Sequence, residues 1–379
     1  MDGATRTDVL IVGGGVSGTA AAFFLAREGV GVTLIERGAL NGRASGANAG
    51  SIHVQIPHAE FVSLGAGWAR RFAPTLPALR DSAALWAALP EQIGADLEVS
   101  TPGGLLLFET EAQRRAVAEK AALEREWGVE TRLLDAAELR ALAPAVSARF
   151  AGAAFCPAEG KANPLRAALA LAGAAAARGA AILTETALLG LERETGGWRA
   201  ATSRGVIRAG RVVNAAGAEA AAVARMAGLD LALQGWPIQV SVTEPVAPMV
   251  AHLLYSAAGK LTLKQLANGT CLIGGGWPAR AGPDGLRLDP ASLASNMGEA
   301  VRAVPALAEA RIARSWPAVV NGTGDWRPIL GAAPGLPGFH LLIFPWMGFS
   351  AAPIAALTVA ELIRGRRPPI DRGLLIDAA

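Results

Sequence analysis

The residues best suited to chemistry in this chain are glycines. Gly13-Gly14-Gly15-Val16-Ser17-Gly18 fits the pattern G-x-G-x-x-G. In that pattern Gly13 permits a tight turn, Gly15 lets backbone approach a pyrophosphate, and Gly18 lets a helix pack closely on a strand. A helix opening there aims unsatisfied N–H groups and the positive end of its dipole at an anion. Glu36 follows about 20 residues on, where a carboxylate accepts hydrogen bonds from both ribose hydroxyls and disfavours a 2′-phosphate. The chemistry implied is dinucleotide binding, and NAD and FAD share this half-site. A second triplet, Gly274-Gly275-Gly276, runs into Trp277-Pro278 and has Ala279 where its third glycine should fall, so it is not read as a nucleotide loop.

The glycine turn needs a strand before it and a helix after it. Val9 to Val12 reads as a buried strand, Thr19 to Glu28 as a helix and Gly31 to Ile35 as a second strand ending at Glu36, which makes a βαβ unit. From Pro74 to Pro144 the pattern is of amphipathic helices around one strand, Gly104 to Phe108, with Asp135-Ala-Ala-Glu138 as a capping box. Helix 164–178 and strands 181–184 and 211–214 return to α/β structure. Strand-like runs between Leu231 and Trp316 suit an antiparallel sheet, and a strand, a Gly348-Phe349-Ser350 turn and a helix close the chain.

With 379 residues the chain exceeds the roughly 250–300 at which single cores stop growing, so two domains are expected. The expected fold class is α/β: a discontinuous Rossmann-type domain over residues 1–73, 146–228 and 321–379, plus an α+β substrate domain with a mainly antiparallel sheet over 74–145 and 229–320.

Hydrophobic residues make up 52% and charged residues 18%, which excludes a disordered chain. The net charge of +3 is scattered, without a basic run, so no nucleic-acid partner is expected. Cys156 and Cys271 are the only cysteines. Neither forms a CxxC pair, so no metal or iron–sulfur site is expected and both are read as reduced thiols. The polar start from Met1 to Thr7 does not read as a signal peptide, and the alanine-rich stretch from Ala167 to Leu183 is too short to span a bilayer. The expectation is a cytoplasmic protein without a transmembrane segment.

The run Arg43-Ala-Ser45-Gly-Ala-Asn48-Ala-Gly50-Ser-Ile-His53, with Val212-Val213-Asn214-Ala215-Ala216-Gly217 and Gly331 to Ser350, resembles the D-amino-acid oxidase family of FAD enzymes. That family includes glycine and sarcosine oxidases and amino-acid dehydrogenases, and the resemblance covers nearly the whole chain. Leu263-Lys-Gln265, the run Asn268 to Pro278 and Phe344-Pro-Trp346 further resemble opine oxidase and hydroxyproline-type dehydrogenase catalytic subunits. The resemblance resolves the cofactor as FAD. It implies FAD contacts from Gly13, Gly15, Val16, Ser17, Gly18, Glu36 and Arg37 at the first turn. It implies further contacts from Arg43, Ala44, Ser45, Asn48, Ala49 and Gly50 along the following loop. Ala187, Ala216, Gly217 and Gly331, then Gly348, Phe349 and Ser350, complete the set. Neither His53 nor Cys271 sits in a covalent linkage pattern, so FAD is expected to be non-covalent. A helix opening at Gly348 would stabilise negative charge on a reduced flavin by ~0.3–2 kcal/mol.

Two positions depart from the family. Val320 stands where relatives often carry an arginine for the substrate carboxylate, and valine cannot replace a bidentate guanidinium. Leu272 stands where sarcosine oxidase carries an oxygen-activating lysine, which favours a dehydrogenase over an oxidase. The substrate candidates are His53, Tyr255, Gln265 and Trp346. Strand alternation sends Lys264 and Gln265 to opposite faces, and Gln265 is preferred as the cavity-facing residue. The expected reaction is hydride transfer from a neutral amine or amino acid to flavin N5, giving an imine that water hydrolyses. No acid–base residue is assigned. Three readings stand side by side: a dehydrogenase subunit passing electrons to partner subunits, a self-sufficient oxidase, and a flavin-binding subunit without turnover.

Overall fold

In the computed structural model residues 5–376 are described. Residues 1–4 and 377–379, the outer ends of the expected first domain and part of the Met1–Thr7 stretch, lie outside them.

The first sheet follows from the continuous apolar run Val9-Leu10-Ile11-Val12, every residue of which is buried. Val9 and Ile11 point into one apolar cluster and Leu10 and Val12 into another, so the strand is covered on two faces. The order is Ile329–Ala332, Phe339–Ile343, Gly205–Asn214, Thr5–Val12, Val32–Ile35 and Ala181–Leu183. The inner pairs are parallel. The edge strand Ile329–Ala332 is antiparallel, and a hairpin, Leu188–Glu194 with Gly197–Thr202, folds back on Gly205–Asn214. The first apolar cluster is roofed by helices Val16–Arg27, Leu76–Ile93, Pro164–Ala176 and Gly348–Ile363. Alanines on their facing sides (Ala20, Ala168, Ala355) let these helices approach closely.

The second sheet runs Ile312–Gly322, Gln234–Thr243, Cys271–Gly274, Thr262–Gln265, Leu253–Ser256, Gly104–Phe108, Gly152–Cys156 and Arg132–Asp135. Every pair is antiparallel except Leu253–Ser256 with Gly104–Phe108. Helix Pro290–Ala303 covers one face and Glu111–Glu126 part of the other. The expected capping box is present: Asp135 accepts from the N–H of Glu138 and Glu138 reaches back to the N–H of Asp135.

Three expectations need correction. Gly152–Cys156 was placed in the first domain and pairs in the second sheet, because its apolar run finds its partners in Gly104–Phe108 and Arg132–Asp135. Helix Leu76–Ile93 was placed with the second domain and packs on the first core through Leu79, Ala83 and Trp86. The Arg43–His53 loop contains a short helix, Ala44–Ala47, and a ribbon strand, Ser51–Ile52, paired with Gly160–Lys161. Among the described residues no helix is long and apolar enough to cross a membrane.

Candidate active site

At the carboxyl ends of the parallel strands the glycine turn is held by contacts no side chain would survive. Gly13 has φ 116°, and a Cβ on it would lie 2.5 Å from the carbonyl oxygen of Ala215. A Cβ on Gly18 would lie 2.0 Å from the carbonyl oxygen of Gly13. The first helix opens at Gly15 without a side-chain cap, with Ser17 in its first turn, and Val16 N–H donates to Ser45 Oγ at 3.0 Å. The Glu36 carboxylate accepts from Gly14 N–H at 2.7 Å and from Gly38 N–H at 3.0 Å. Thr186 N–H donates to the Glu36 carbonyl, which sets Ala187 nearby, and Gly217 turns at φ 58° just after Ala216.

A cavity of 1160 Å³ opens between the two sheets. One wall comes from Asn48, Ala49, Ser51 and His53, and another from Phe349 and Ser350 at the opening of the last helix. The second sheet contributes Trp236, Tyr255, Thr262 and Val320. Ser350 staples the walls together: its Oγ accepts His53 N–H at 2.8 Å and donates to the Ser51 carbonyl at 3.2 Å. Ser82 Oγ and Trp86 Nε1 donate to the Ser350 carbonyl. The first N–H groups of this 16-residue helix have no intrahelical acceptor and carry its positive dipole end.

Trp346 adopts φ 62°, stacks on Trp326 at 5.0 Å and leans on Trp236 at 5.5 Å. Gly322 makes room for it, since a Cβ there would lie 2.4 Å from the Trp346 ring. No arginine lines the cavity among the described residues; its lysines are Lys120 and Lys260.

At the inner end His53 Nδ1 lies 2.9 Å from Tyr255 Oη, and both the Glu159 carboxyl and the Tyr255 ring crowd the Cβ position of Gly104. Glu159 is 1% exposed. It accepts from Val54 N–H at 2.9 Å, Gln55 N–H at 3.1 Å and Gln55 Nε2 at 2.9 Å. Gln55 Oε1 accepts from Lys120, which pairs with Glu124. Burial, helped by the Lys264 ammonium, pushes His53 down to about 3 and keeps it neutral. Burial raises both Glu159 and Tyr255.

The family model described as DAO, FAD dependent oxidoreductase, matches residues 8–362. The chain belongs to this family. It is 28% identical to sarcosine oxidase subunit beta of Rhizobium meliloti (strain 1021), covering 98% of this chain and 90% of that protein. It is 30% identical to glycine oxidase of Pseudomonas aeruginosa, covering 96% of each. Among solved structures, glycine oxidase from Geobacillus kaustophilus superposes with a TM-score of 0.84 at 26% identity over 97% of each chain. L-proline dehydrogenase from P. horikoshii gives 0.86 at 25% identity, covering 97% of this chain and 96% of that one.

As a DAO-family oxidoreductase the protein uses FAD, and its residues fit that cofactor. The Gly13 to Gly18 turn is a cradle that a side chain would fill, the Glu36 carboxylate is fixed beside it by two backbone N–H groups, and the last helix opens at the cavity. At Gly217 and Gly348 an added Cβ would meet no protein atom within 4 Å. These residues would hold the dinucleotide along the strand ends and the flavin ring at the cavity.

The structure brings Asn48, Ala49, His53, Tyr255, Trp346, Phe349 and Ser350 to the cavity wall. Gly50 is buried behind it, with a Cβ site 2.2 Å from the Ala162 carbonyl oxygen. Arg37 turns out to Glu219 at 3.1 Å, Arg43 is exposed beside Ala44, and Gly331 lies in the edge strand at φ 114°. Gln265 is the correction. Its Oε1 accepts from Met249 and Val250 N–H and its Nε2 donates to Val246, Ala247 and Gly269 carbonyls, so it braces a turn and does not line the cavity. Lys264, on the other face, donates to Ser51 Oγ. Sequence reasoning missed Glu159, Gln55 and Lys120. Glu159 in the polar turn Ala158-Glu-Gly160 is an ordinary surface signal, and only its long-range contacts bury it.

Proposed function

We propose that the protein oxidises the carbon–nitrogen bond of a primary or secondary amine or amino acid. The relatives named for sarcosine, glycine, opines and proline support this reading. The observation that carries it is the single cavity joining the Asn48–His53 wall to the opening turn of the Gly348–Ile363 helix. Bound FAD supplies the acceptor for hydride leaving the carbon beside nitrogen, and water hydrolyses the imine released. The protein's share is orientation and exclusion of water by the tryptophan wall, with no strong base required. Cys156 and Cys271 are both buried and neither lines the cavity, which supports FAD held without a bond to cysteine.

In this reading the domain of the first sheet carries FAD and the domain of the second carries the substrate. Some relatives are named as subunits, which supports a dehydrogenase working with electron-accepting partners. A second reading, with oxygen as acceptor, is favoured by Lys264, a buried cation bonded to the cavity residue Ser51.

Anaerobic mixing with candidate amines tests the proposal. Bleaching of the flavin absorption is expected, and its absence with every amine overturns enzymatic turnover. Admitting air then separates the acceptors: rapid return of colour that slows at least tenfold in Lys264→Met supports oxygen, and no return supports partner subunits.

A further inference from the structure

The acidic and basic side chains that line the cavity are Glu60, Lys120, Glu159 and Lys260, besides His53 and His58, which burial keeps neutral. Two of them are satisfied by the protein itself. Lys120 pairs with Glu124, and Glu159 accepts from Val54 and Gln55. Glu60 and Lys260 are not: among the described residues neither forms an ion pair within 4.0 Å, with the other or with any third side chain. They nevertheless sense each other. Burial raises the Glu60 carboxyl, and its own backbone N–H and the Lys260 ammonium draw it back down. A charge of each sign thus borders one space without closing it.

Both residues are held in place through the backbone. Lys260 sits in the turn between Leu253–Ser256 and Thr262–Gln265, and its carbonyl accepts from Trp277 Nε1 at 2.7 Å. Gly275, at φ 130°, lies against the same turn: a Cβ on it would be 2.7 Å from Leu261 N and 2.9 Å from the Lys260 carbonyl carbon. The triplet Gly274-Gly275-Gly276 therefore lets the chain pack on the Lys260 turn and carries Trp277 to it. Glu60 is fixed by its neighbour Phe61, which is buried in the first core and whose N–H donates to the Pro57 carbonyl at 2.9 Å. Lys260 is exposed and Glu60 half-buried, and Leu64 and Trp236 of the same lining are exposed, whereas Glu159 at the inner end is buried. The pair stands at the mouth.

We infer that Glu60 and Lys260 bind the zwitterionic amino-acid head of an extended amine substrate, the ammonium on Glu60 and the carboxylate on Lys260, while the nitrogen that is oxidised lies further in. This deepens the amine-oxidation reading and rests on it. The lining holds no arginine, and Lys260 is its one cation without a partner among the described residues, so a carboxylate finds its counter-charge there. A bound ammonium holds Glu60 ionised. Size agrees: pockets for drug-sized ligands span ~300–1,000 Å³, and a cavity of 1160 Å³ exceeds that range, as a flavin ring together with a substrate longer than glycine requires.

Calorimetric titration of the flavin-loaded protein with molecules of one shape, none of which can be oxidised beside nitrogen, tests this. The zwitterion is 2-aminoisobutyrate; pivalate keeps only the carboxylate and tert-butylamine only the ammonium. Wild type is expected to bind 2-aminoisobutyrate at least about tenfold more tightly than either, the scale of one hydrogen bond to a charged group. Lys260→Met is expected to bring it down to the level of tert-butylamine, with tert-butylamine binding retained. Glu60→Gln is expected to bring it down to the level of pivalate, with pivalate binding retained. The retained probe shows in each case that the variant is folded. Equal binding of all the probes by wild type, an unchanged preference in either variant, or loss of every probe in a variant whose flavin spectrum is unchanged overturns the assignment. No turnover is involved. A protein with this preference whose flavin no amine bleaches overturns the amine-oxidation reading alone, whereas bleaching without this preference overturns the head-group assignment alone.

Discussion

Lys264 and Leu272 face each other directly across the antiparallel pair Thr262–Gln265 and Cys271–Gly274. Opposite residues of such a pair project to the same side of the sheet. The position at which a cation was missed in the sequence, Leu272, is thus next to a lysine that is fully buried and hydrogen-bonded to Ser51. A buried lysine thus stands one strand over on the same face of the sheet, which is why Leu272 alone is weak support for a dehydrogenase.

Lys264 is held down at about 7, first by burial and then by the Lys161 ammonium. Between about 7 and the ordinary lysine value the unfolded chain binds a proton that the folded site does not, so stability rises with pH through that window. Lys264→Met is expected to flatten the rise and to raise stability most below pH 7. Denaturant midpoints at pH 6.5 and 9 check this; an unchanged slope would show that Lys264 keeps an ordinary affinity for its proton.

His58 Nδ1 is buried without a partner, and burial together with the Lys120 ammonium lowers its pKa to about 4. Its folded value lies below its unfolded one, so stability is full above 6.5 and falls as pH drops from 6.5 through 4. His53, lowered to about 3, extends the loss to lower pH. Melting temperatures at pH 7, 5.5 and 4.5 should fall less in His58→Gln than in wild type.

Gly18→Ala would place a methyl 2.0 Å from the Gly13 carbonyl oxygen, and a backbone atom cannot rotate away. The strand–helix turn must open, costing about 1–3 kcal/mol or more, as overpacking does. The measurement is flavin retained per protein after gel filtration together with the denaturant midpoint, both expected to drop.

Glu36→Ala removes the acceptor for two backbone N–H groups, of Gly14 and Gly38. A hydrogen bond to a charged group contributes about 1.5–3 kcal/mol, and in the proposed dinucleotide site the ribose hydroxyls would lose an acceptor as well. FAD affinity measured by reconstitution of apoprotein should fall at least tenfold, with the flavin spectrum at saturation unchanged.

The elements legible in the sequence are those that depend on neighbours along the chain. The glycine turn was legible because its φ values and close approaches lie within a strand–turn–helix. So was the Asp135–Glu138 capping box, because it spans three residues. Alternation also separated Lys264 from Gln265 correctly, since that follows from the pleat alone. That Gln265 braces a turn and does not line the cavity depended on the turn at Val246–Val250 docking over it, and no local pattern encodes that.

Sequence alone determined a dinucleotide site on a βαβ unit, together with the segments whose family resemblance marked the cofactor as FAD. The tertiary structure decided which sheet Gly152–Cys156 joins and how the inner end of the cavity is wired. Glu159, Tyr255 and His53 lie about a hundred residues or more apart in the chain, so no local pattern brings them to one end of the cavity. Long-range packing buries Glu159, and burial makes its hydrogen bonds from Val54 and Gln55 obligatory.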